Sequence, residues 1–385
     1  MKVAVPKERR EFECRVAATP DTAKKFVDLG AQVVVERDAG LQANYMDQLY
    51  RDAGAEVAGT EAETLSGADV VLKVQSPITS SEGDTDELGL IQKGAVLVGL
   101  LAPLDQRSIV DKYAEQGISA FAMELIPRIT RAQSMDALSS QSNLAGYRAV
   151  LDAASTFHRA LPMMMTAAGT VASARVFVLG AGVAGLQAIA TARRLGAIVS
   201  ATDVRIAAKE QVESLGASFV MVEDEESASA ETAGGYAKEL SDEYKRKQAD
   251  LVREHLRRQD IVITTALIPG RPAPTLIDDD MVHSLDPGSV IVDMAVEAGG
   301  NCSMSRPGEV VEVDGVKIIG FRNLASRVAE DASALYARNL FNFMSPLIDT
   351  ESHCLKIDWD DEIVAGTALT RDGAVVHPLL TGQGA

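Results

Sequence analysis

Residues 175–203 read RVFVLGAGVAGLQAIATARRLGAIVSATD, and this stretch decides the fold. An apolar, strand-like run leads into three glycines, a helical pattern follows, and a second apolar run ends on Asp203. The glycines at 180, 182 and 185 have the spacing G-x-G-x-x-G. In that spacing Gly180 makes a tight turn, Gly182 lets the backbone approach a pyrophosphate, and Gly185 lets helix and strand pack closely. The stretch predicts a dinucleotide-binding turn, and a purely structural glycine turn is the alternative.

Two further features of this stretch, and Arg205 just beyond it, concern the ligand. The amides that open the following helix, beginning at Val183, carry partial positive charge and point to where phosphates would lie. Asp203 ends the next strand, where a carboxylate can accept hydrogen bonds from both hydroxyls of an adenosine ribose. A 2′-phosphate would meet that negative charge, so the pattern favours NAD(H) over NADP(H), although Arg205 weakens the exclusion.

The composition limits the class of protein. A chain of 385 residues predicts two domains, because single cores seldom grow that large. With 37 basic and 55 acidic residues the net charge is −18, which argues against nucleic acid or an anionic membrane surface as a partner. The three cysteines lie far apart and predict neither a disulfide framework nor a metal site. No stretch is apolar enough to predict direct membrane insertion.

Short β-rich runs alternate with helical patterns through much of the chain. We expect strands at Val3–Val5, Val33–Glu36, Asp69–Lys73, Val96–Val98, Ile118–Ala122, Val176–Leu179, Ile198–Ala201, Phe219–Val222, Asp260–Thr264, Ser289–Asp293 and Val316–Ile319. Helical patterns lie near 20–30, 46–53, 61–67 and 105–116. Thr19 and Pro20 give a start signal for the first of these helices. The alternation predicts parallel sheets with helices on both faces.

Two longer helical patterns, Met135–Phe157 and Ala329–Met344, interrupt the alternation. We interpret both as helices that cross between domains. The fold class that follows is α/β, with two Rossmann-like, doubly wound parallel-sheet domains joined by long crossover helices. The predicted N-terminal domain is discontinuous, 1–137 plus 328–385, and the predicted NAD(H)-binding domain is 138–327.

The segment from Glu223 to Lys247 breaks the pattern. It opens with four acidic residues and passes through Ser, Ala and Thr to Gly234-Gly235-Tyr236 before an apolar face begins. An exposed acidic loop explains this composition, and so does a mobile lid with a glycine hinge and Tyr236 as its contact point. The sequence leaves both interpretations open.

Several stretches outside the glycine turn resemble one family. Segments shared by alanine dehydrogenases and transhydrogenases are Pro6–Glu8, Arg15–Pro20, Leu72–Val74 and Val292–Gly300. Other segments look like the NAD(H)-binding component, domain I, of proton-translocating nicotinamide nucleotide transhydrogenases; they are Met123–Arg148, Met163–Gly169, Ala233–Lys238, Thr264–Gly270 and Asp331–Asn339. The chain thus resembles the alanine dehydrogenase/transhydrogenase superfamily along essentially its whole length.

The resemblance implies which residues contact the nucleotide. A loop with an Arg-Gln-Asp signature maps onto Arg128, Gln133 and Asp136, with Ser139 just beyond, and would hold the dihydronicotinamide ring and its carboxamide. Without the resemblance, the same loop reads as a polar turn in which Asp136 or Ser139 caps a helix. Tyr236 would belong to a loop that closes over the nucleotide. The remaining implied contacts are Gly235, Thr265 and Leu267.

Two absences separate the branches of this family. An amino-acid dehydrogenase moves a proton as well as a hydride, so it needs a positioned acid or base. The dehydrogenase branch uses a second lysine, two positions after the lysine of the L-K-V motif, and a histidine. Here that position is Gln75, and residues 1–157 contain no histidine. Hydride transfer between two nicotinamides needs positioning and exclusion of water rather than a base.

The resemblance therefore implies a transhydrogenase subunit that passes hydride from NADH to NADP⁺ on a partner component. The implied partners are NADP(H)-binding and membrane-spanning components, with a homodimer of this chain and a cytoplasmic location peripheral to the inner membrane. Because no apolar span is found near the end of the chain, we expect a separate subunit or an excised domain. The alternatives are an alanine dehydrogenase-like amino-acid dehydrogenase and a non-catalytic NAD(H)-binding regulator.

Three smaller expectations concern individual residues. Arg15 is expected to be structural, paired with Glu8 or Glu13. Asp293 follows a predicted buried strand, and a functional and a structural role fit its position equally well. The methionines at 163–165 are expected to pack in a core.

Overall fold

The structure is a computed structural model that describes residues 1–83, 85–222 and 241–382. Within these ranges the chain forms two compact units, residues 1–141 with 325–385 and residues 142–324. Each unit is built on a parallel or mainly parallel sheet. The predicted α/β class with two Rossmann-like parallel sheets is therefore confirmed.

The first unit contains a six-stranded sheet. Its strands are β1 (Lys2–Val5), β2 (Gln32–Glu36), β3 (Glu56–Ala58), β4 (Val70–Gln75), β5 (Val96–Leu100) and β6 (Ser119–Ala122). All neighbours are parallel, and the order β3-β2-β1-β4-β5-β6 is that of a doubly wound sheet. Side chains alternate between the faces, so Val3 and Val5 enter one core while Ala4 enters the other.

Helices connect these parallel strands. In the described part of this sheet region they are α1 (Pro20–Asp28), α2 (Asp47–Asp52), α3 (Glu61–Leu65), α4 (Glu87–Leu90) and α5 (Arg107–Gln116). The predicted start of α1 is confirmed, because Thr19 is its N-cap and Pro20 lies in its first turn. Sequence analysis does not predict β3 or α4, which are only three and four residues long. The long helix α6 (Ala137–Thr156) follows, close to the predicted range.

The second unit contains a hairpin and a seven-stranded sheet. The hairpin strands are β7 (Met164–Thr166) and β8 (Gly169–Val171). The sheet strands are β9 (Arg175–Leu179), β10 (Ile198–Thr202), β11 (Ser218–Phe219), β12 (Ile261–Thr264), β13 (Val290–Asp293), β14 (Val310–Val313) and β15 (Val316–Ile319). Their order is β11-β10-β9-β12-β13-β15-β14, with β14 antiparallel at the edge.

Two strands of the seven-stranded sheet differ from expectation. Sequence analysis misses β14, although three of its four residues are valines, a type that favours strands; all four are only half-buried or exposed. β11 is shorter than the predicted Phe219–Val222. The Gln248 side chain donates to the Val220 carbonyl and accepts from the Val222 amide, so these backbone groups are bonded outside the sheet.

The described helices of the second unit cover both faces of its sheet. They are α7 (Val183–Arg194), α8 (Ala208–Ser214), α9 (Asp242–Leu256) and α10 (Asp279–His283). Val176 and Val178 of β9 enter one core and Phe177 enters the other. α6 and α7 approach closely, since a Cβ on Gly146 would lie 2.1 Å from the Ala184 carbonyl oxygen.

The methionine run does not pack in a core, so that expectation is wrong. Met163, Met164 and Met165 are 60%, 44% and 76% exposed. They lie in and beside the β7–β8 hairpin, whose six residues are all exposed. The hairpin forms a separate two-stranded sheet, and the exposure of all its strand residues shows that neither face is covered within the described chain.

The C-terminal segment completes the first unit. It contains α11 (Ala329–Met344), β16 (Ile348–Asp349), β17 (Cys354–Leu355), α12 (Glu362–Thr367), β18 (Thr370–Arg371), β19 (Ala374–Val375) and α13 (Pro378–Thr381). The unit boundary at 324/325 precedes α11, so this helix lies within the first unit rather than crossing between units. The Tyr336 hydroxyl donates to the Lys73 carbonyl at 2.8 Å and fixes α11 against β4. Among the described helices, none has the length and apolar character needed to cross a membrane.

Candidate nucleotide-binding site

The glycine turn between β9 and α7 admits no side chain at two of its three glycines. Gly180 has φ +107°, and a Cβ there would lie 2.4 Å from the Thr265 hydroxyl. A Cβ on Gly185 would lie 1.8 Å from the Gly180 carbonyl oxygen. Both distances are far below a van der Waals contact, so the turn can form only with glycine at these positions.

Gly182 is glycine for a different reason. A Cβ there would meet nothing within 4 Å, and the residue is the N-cap of α7. No described residue accepts a hydrogen bond from the amides of Gly182, Val183 or Ala184. Open space beside unpaired amides at a helix N-terminus is what a pyrophosphate needs. The turn therefore fits the phosphate groups of a dinucleotide.

Asp203 lies beside this turn and is held by four donors. Its Oδ2 accepts from the Ala181 amide at 2.7 Å and from Arg205 Nη2 at 3.0 Å. Its Oδ1 accepts from the Arg205 amide at 2.8 Å and from Arg205 Nε at 2.9 Å. Burial favours the neutral carboxyl, but the bonds from Arg205 and the amides outweigh it and hold the pKa of Asp203 below its usual value. The carboxylate is thus ionised at neutral pH.

Thr265 joins the neighbouring strand end to the same turn. Its hydroxyl donates to the Gly180 carbonyl oxygen at 3.1 Å, and its amide donates to Leu179. Leu267, two residues on, is 57% exposed. The structure therefore brings Thr265 into contact with the turn and leaves the Leu267 side chain open to solvent.

Asn301 positions this strand-end loop, and sequence analysis misses it. The side chain is fully buried. Its Oδ1 accepts from the Ala266 amide at 3.0 Å, and its Nδ2 donates to the carbonyls of Ala266 and Pro274 at 2.9 and 2.8 Å. Ala266 lies between Thr265 and Leu267, so Asn301 fixes the backbone that carries both.

Asp293 has a structural role. It is fully buried and accepts from the amides of Ala295 and Cys302 at 2.9 and 3.0 Å and from the Ser305 hydroxyl at 2.5 Å. These bonds close the loop that carries Asn301. Of the two roles left open for Asp293, the structure supports positioning of this loop.

The Arg-Gln-Asp loop lies in the first unit, between β6 and α6. Asp136 caps α6, because its Oδ1 accepts from the Ser139 amide at 2.9 Å and its Oδ2 accepts from the Ser139 hydroxyl at 2.5 Å. Arg128 and Gln133 are exposed, and neither side chain has a hydrogen-bond partner in the described ranges. The structure brings Asp136 and Ser139 together and leaves Arg128 and Gln133 available to a ligand.

The predicted closing loop belongs to the Glu223–Lys247 segment. Gly235 and Tyr236 lie outside the described residues, as does most of the Glu223–Lys247 segment. Its last residues are described, and there Ser241 caps the start of α9 by accepting from the Tyr244 amide.

The lysine of the L-K-V motif is held in a buried ion-pair cluster. Lys73 Nζ lies 3.1 Å from Glu8 and 3.0 Å from Glu87, and all three side chains are at most 2% exposed. Burial alone would lower the pKa of Lys73, but the two carboxylates outweigh it and raise that pKa, so the amine stays protonated. A protonated, ion-paired amine cannot act as a base.

Gln75 occupies the position of the second lysine expected in a dehydrogenase. Its Nε2 donates to Glu13 Oε2 at 2.6 Å. Arg15 pairs with the same carboxylate at 2.6 Å and also donates to Gln141 at 2.8 Å. The predicted pairing of Arg15 with Glu13 is therefore confirmed, and the pair is buried.

Comparison with known proteins covers nearly the whole chain. Residues 4–145 match the family described as alanine dehydrogenase/PNT, N-terminal domain, and residues 149–378 match alanine dehydrogenase/PNT, C-terminal domain. The first part of the NAD(P) transhydrogenase subunit alpha of Rhodospirillum rubrum is 60% identical over 385 residues, which are 100% of both chains. An alanine dehydrogenase of Halomonas elongata is 30% identical over 390 positions, covering 98% of this chain and 95% of that protein.

A solved structure gives the same result. The transhydrogenase from Sinorhizobium meliloti superposes with a TM-score of 0.88 at 53% identity, covering 98% of this chain and 100% of that chain. The resemblance inferred from the motifs is confirmed. This chain belongs to the alanine dehydrogenase/PNT family, and within it is more similar to these transhydrogenase relatives than to the alanine dehydrogenase.

Proposed function

We propose that this chain is the NAD(H)-binding subunit of a proton-translocating, Re/Si-specific NAD(P)⁺ transhydrogenase. It binds NADH and passes hydride to NADP⁺ on a separate component. The observation that carries the proposal is the 60% identity to a transhydrogenase subunit over the full length of both chains. The glycine turn, with open space at Gly182 and the ionised Asp203 beside it, supports the choice of NAD(H).

The polar groups of the first unit suit hydride transfer without a proton. Gln75 has no titrating group, and Lys73 is held protonated between two carboxylates. The dehydrogenase branch would have the second of its lysines at the position of Gln75 to move a proton. Transfer between two nicotinamides needs the two reacting carbons brought to about 3–3.5 Å and water kept away.

The Arg-Gln-Asp loop is the proposed nicotinamide site. Arg128 and Gln133, which have no side-chain partner among the described residues, offer donors and an acceptor to a carboxamide, while Asp136 and Ser139 fix the end of the loop through the helix cap. Gly235 and Tyr236 are proposed to close over the bound nucleotide. Thr265 and Leu267 are proposed to line it from the strand-end loop.

The proposed assembly follows from the same function. We propose that two copies of this chain form a homodimer that docks on NADP(H)-binding and membrane-spanning components at the cytoplasmic face of the inner membrane. Those components would couple hydride transfer to proton movement. We also propose that residues 1–137 with 328–385, and 138–327, act as separate domains.

Stopped-flow measurement of hydride transfer tests the proposal. NADH-loaded chain is mixed with an NADP⁺-loaded transhydrogenase component, and oxidation of NADH is followed. Gln133→Ala and Asp136→Ala should slow transfer by about a hundredfold through misplacement of the ring, with little change in NADH affinity. Asparagine is as good an N-cap as aspartate, so Asp136→Asn keeps α6 capped and should slow transfer as much only if the carboxylate itself contacts the ring. Ser134→Ala, an exposed neighbour, is the control.

The alternatives give different results. An alanine dehydrogenase would oxidise NADH with pyruvate and ammonia in the absence of any partner. A regulator would bind NADH but transfer no hydride to the NADP⁺-loaded component. Equal losses of transfer rate and NADH affinity in the Gln133 and Asp136 variants would contradict the proposed ring-orienting role.

A further inference from the structure

All acceptor positions of the Asp203 carboxylate, which is expected to face the adenosine ribose, are occupied. A carboxylate offers about four lone-pair sites. Each oxygen of Asp203 already receives one backbone amide and one guanidinium nitrogen of Arg205. A ribose with two hydroxyls can therefore donate to Asp203 only if two existing donors leave.

The two guanidinium donors are the ones that can leave. The amides of Ala181 and Arg205 are fixed by the turn and by the backbone after β10. The Arg205 side chain is 56% exposed and is described with no other hydrogen-bond partner. The vicinal diol and the side-on guanidinium each supply two parallel donors, so one can replace the other without disturbing the backbone bonds.

A 2′-phosphate would meet the same two residues differently. It brings negative charge next to the ionised Asp203, and it can accept two charge-assisted hydrogen bonds from a guanidinium. Arg205 would then neutralise the 2′-phosphate of NADPH, whereas it competes with the ribose hydroxyls of NADH. The same side chain thus disfavours one nucleotide and favours the other.

We propose that Arg205 is a specificity-determining residue that competes with the ribose hydroxyls of NADH for Asp203 and supplies the charge that a 2′-phosphate needs. The inference rests on the proposed NAD(H)-binding function. Arg205 lowers the selectivity that Asp203 provides, and its removal makes the site more strictly specific for NAD(H).

Equilibrium titration of the whole chain with NADH and with NADPH tests this inference. Arg205→Ala removes the competing guanidinium. Arg194→Ala is the matched control, because it removes one exposed positive charge from the last turn of α7, the end of that helix away from the glycine turn. Asp203→Asn, alone and with Arg205→Ala, completes a double-mutant cycle.

Opposite shifts are expected for the two nucleotides. In Arg205→Ala the Kd of NADH should fall about two- to fivefold, which corresponds to the free energy of one exposed ion pair. The Kd of NADPH should rise at least about tenfold, because the charge-assisted hydrogen bonds to the 2′-phosphate are lost. On the Asp203→Asn background, Arg205→Ala should still weaken NADPH but no longer improve NADH. Arg194→Ala should change neither Kd by more than about twofold.

Three outcomes would overturn the inference. A rise in the Kd of NADH in Arg205→Ala would mean that Arg205 binds NADH directly. Unchanged Kd values for both nucleotides, with NADH still bound and hydride still transferred, would remove the inference and leave the proposed function intact. Failure of the unsubstituted chain to bind NADH would overturn both.

Discussion

Replacing Asn301 by aspartate tests how the strand-end loop is held. The two side chains have the same shape, but Asn301 Nδ2 becomes an oxygen that faces the carbonyls of Ala266 and Pro274 at 2.9 and 2.8 Å. The bond from the Ala266 amide to Oδ1, at 3.0 Å, can remain. The substitution therefore removes two donated hydrogen bonds and keeps the accepted one.

The cost can be estimated from these contacts. Each buried carbonyl that loses its donor costs about 1–3 kcal/mol, so two cost roughly 2–6 kcal/mol when the new carboxyl is ionised. Protonation restores one donor and leaves one carbonyl unpaired, so the cost falls to roughly 1–3 kcal/mol. Burial and the facing oxygens raise the pKa of the new carboxyl above its unfolded value. Its destabilisation should therefore lessen as the pH falls and grow as the pH rises through that pKa.

Urea denaturation between pH 5 and pH 8 measures the loss of stability, and titration with NADH under folded conditions measures the loss of affinity. The Kd of NADH should rise about tenfold, because a loosened loop loses binding free energy equivalent to about one hydrogen bond with the nucleotide. Gln211→Glu is the control, since it adds the same negative charge at an exposed position of α8 in the same unit. An Asn301→Asp variant as stable as the unsubstituted chain, or one that is destabilised yet binds NADH normally, would refute the argument.

Three further predictions concern the glycine turn and a buried carboxyl. Gly182→Ala should change stability by less than about 1 kcal/mol, because the site is open and its φ of −76° suits alanine, yet NADH should bind at least about tenfold more weakly. Gly185→Ala should cost roughly 3 kcal/mol or more in urea denaturation, and a stable variant would show that the turn can shift. In the first unit, burial raises the pKa of Glu124 to about 7 from 4.5, while its Oε1 accepts from the Ala102 amide at 2.5 Å. Because this folded pKa is raised, the chain should lose up to about 3 kcal/mol relative to Glu124→Gln as the pH rises through that range, and parallel pH profiles would contradict it.

Local patterns in the sequence predict the parts of the site that local physics determines. The G-x-G-x-x-G spacing predicts the turn because the positive φ of Gly180 and the clash of a Gly185 Cβ with the Gly180 carbonyl oxygen both arise within it. Asp203 is predictable because it ends the adjacent parallel strand. The strand pattern is predictable because buried parallel strands are nearly continuous apolar runs.

Contacts between distant parts of the chain are not predictable in this way. Asn301 bonds to Ala266, 35 positions earlier, and no periodicity records that pairing. For the same reason the sequence does not predict that β11 ends early, where the Gln248 side chain bonds to its continuation. The exposed methionines show the converse error, since an apolar run reports hydrophobicity but not whether a partner surface covers it.

In the Arg-Gln-Asp loop, Asp136 fits two interpretations of the sequence, as a helix cap and as part of the proposed nicotinamide site. Asp136 caps α6, as a polar loop before a helix predicts, and this does not remove it from the proposed nicotinamide site. A cap fixes the backbone direction at which the loop presents Gln133. Sequence alone cannot separate these roles, because an aspartate at this place serves both.

The contact of Gly146 with Ala184 has a thermodynamic consequence for the phosphate turn. Here the main chain of α6 contacts the main chain of α7 directly. The direction of the first amides of α7 therefore does not depend on the rotamer of any side chain between the two helices. Because the turn is already ordered, binding of a phosphate costs the protein little conformational entropy. Calorimetry should then find that adenosine diphosphate binds without the unfavourable entropy that accompanies the ordering of a loose loop.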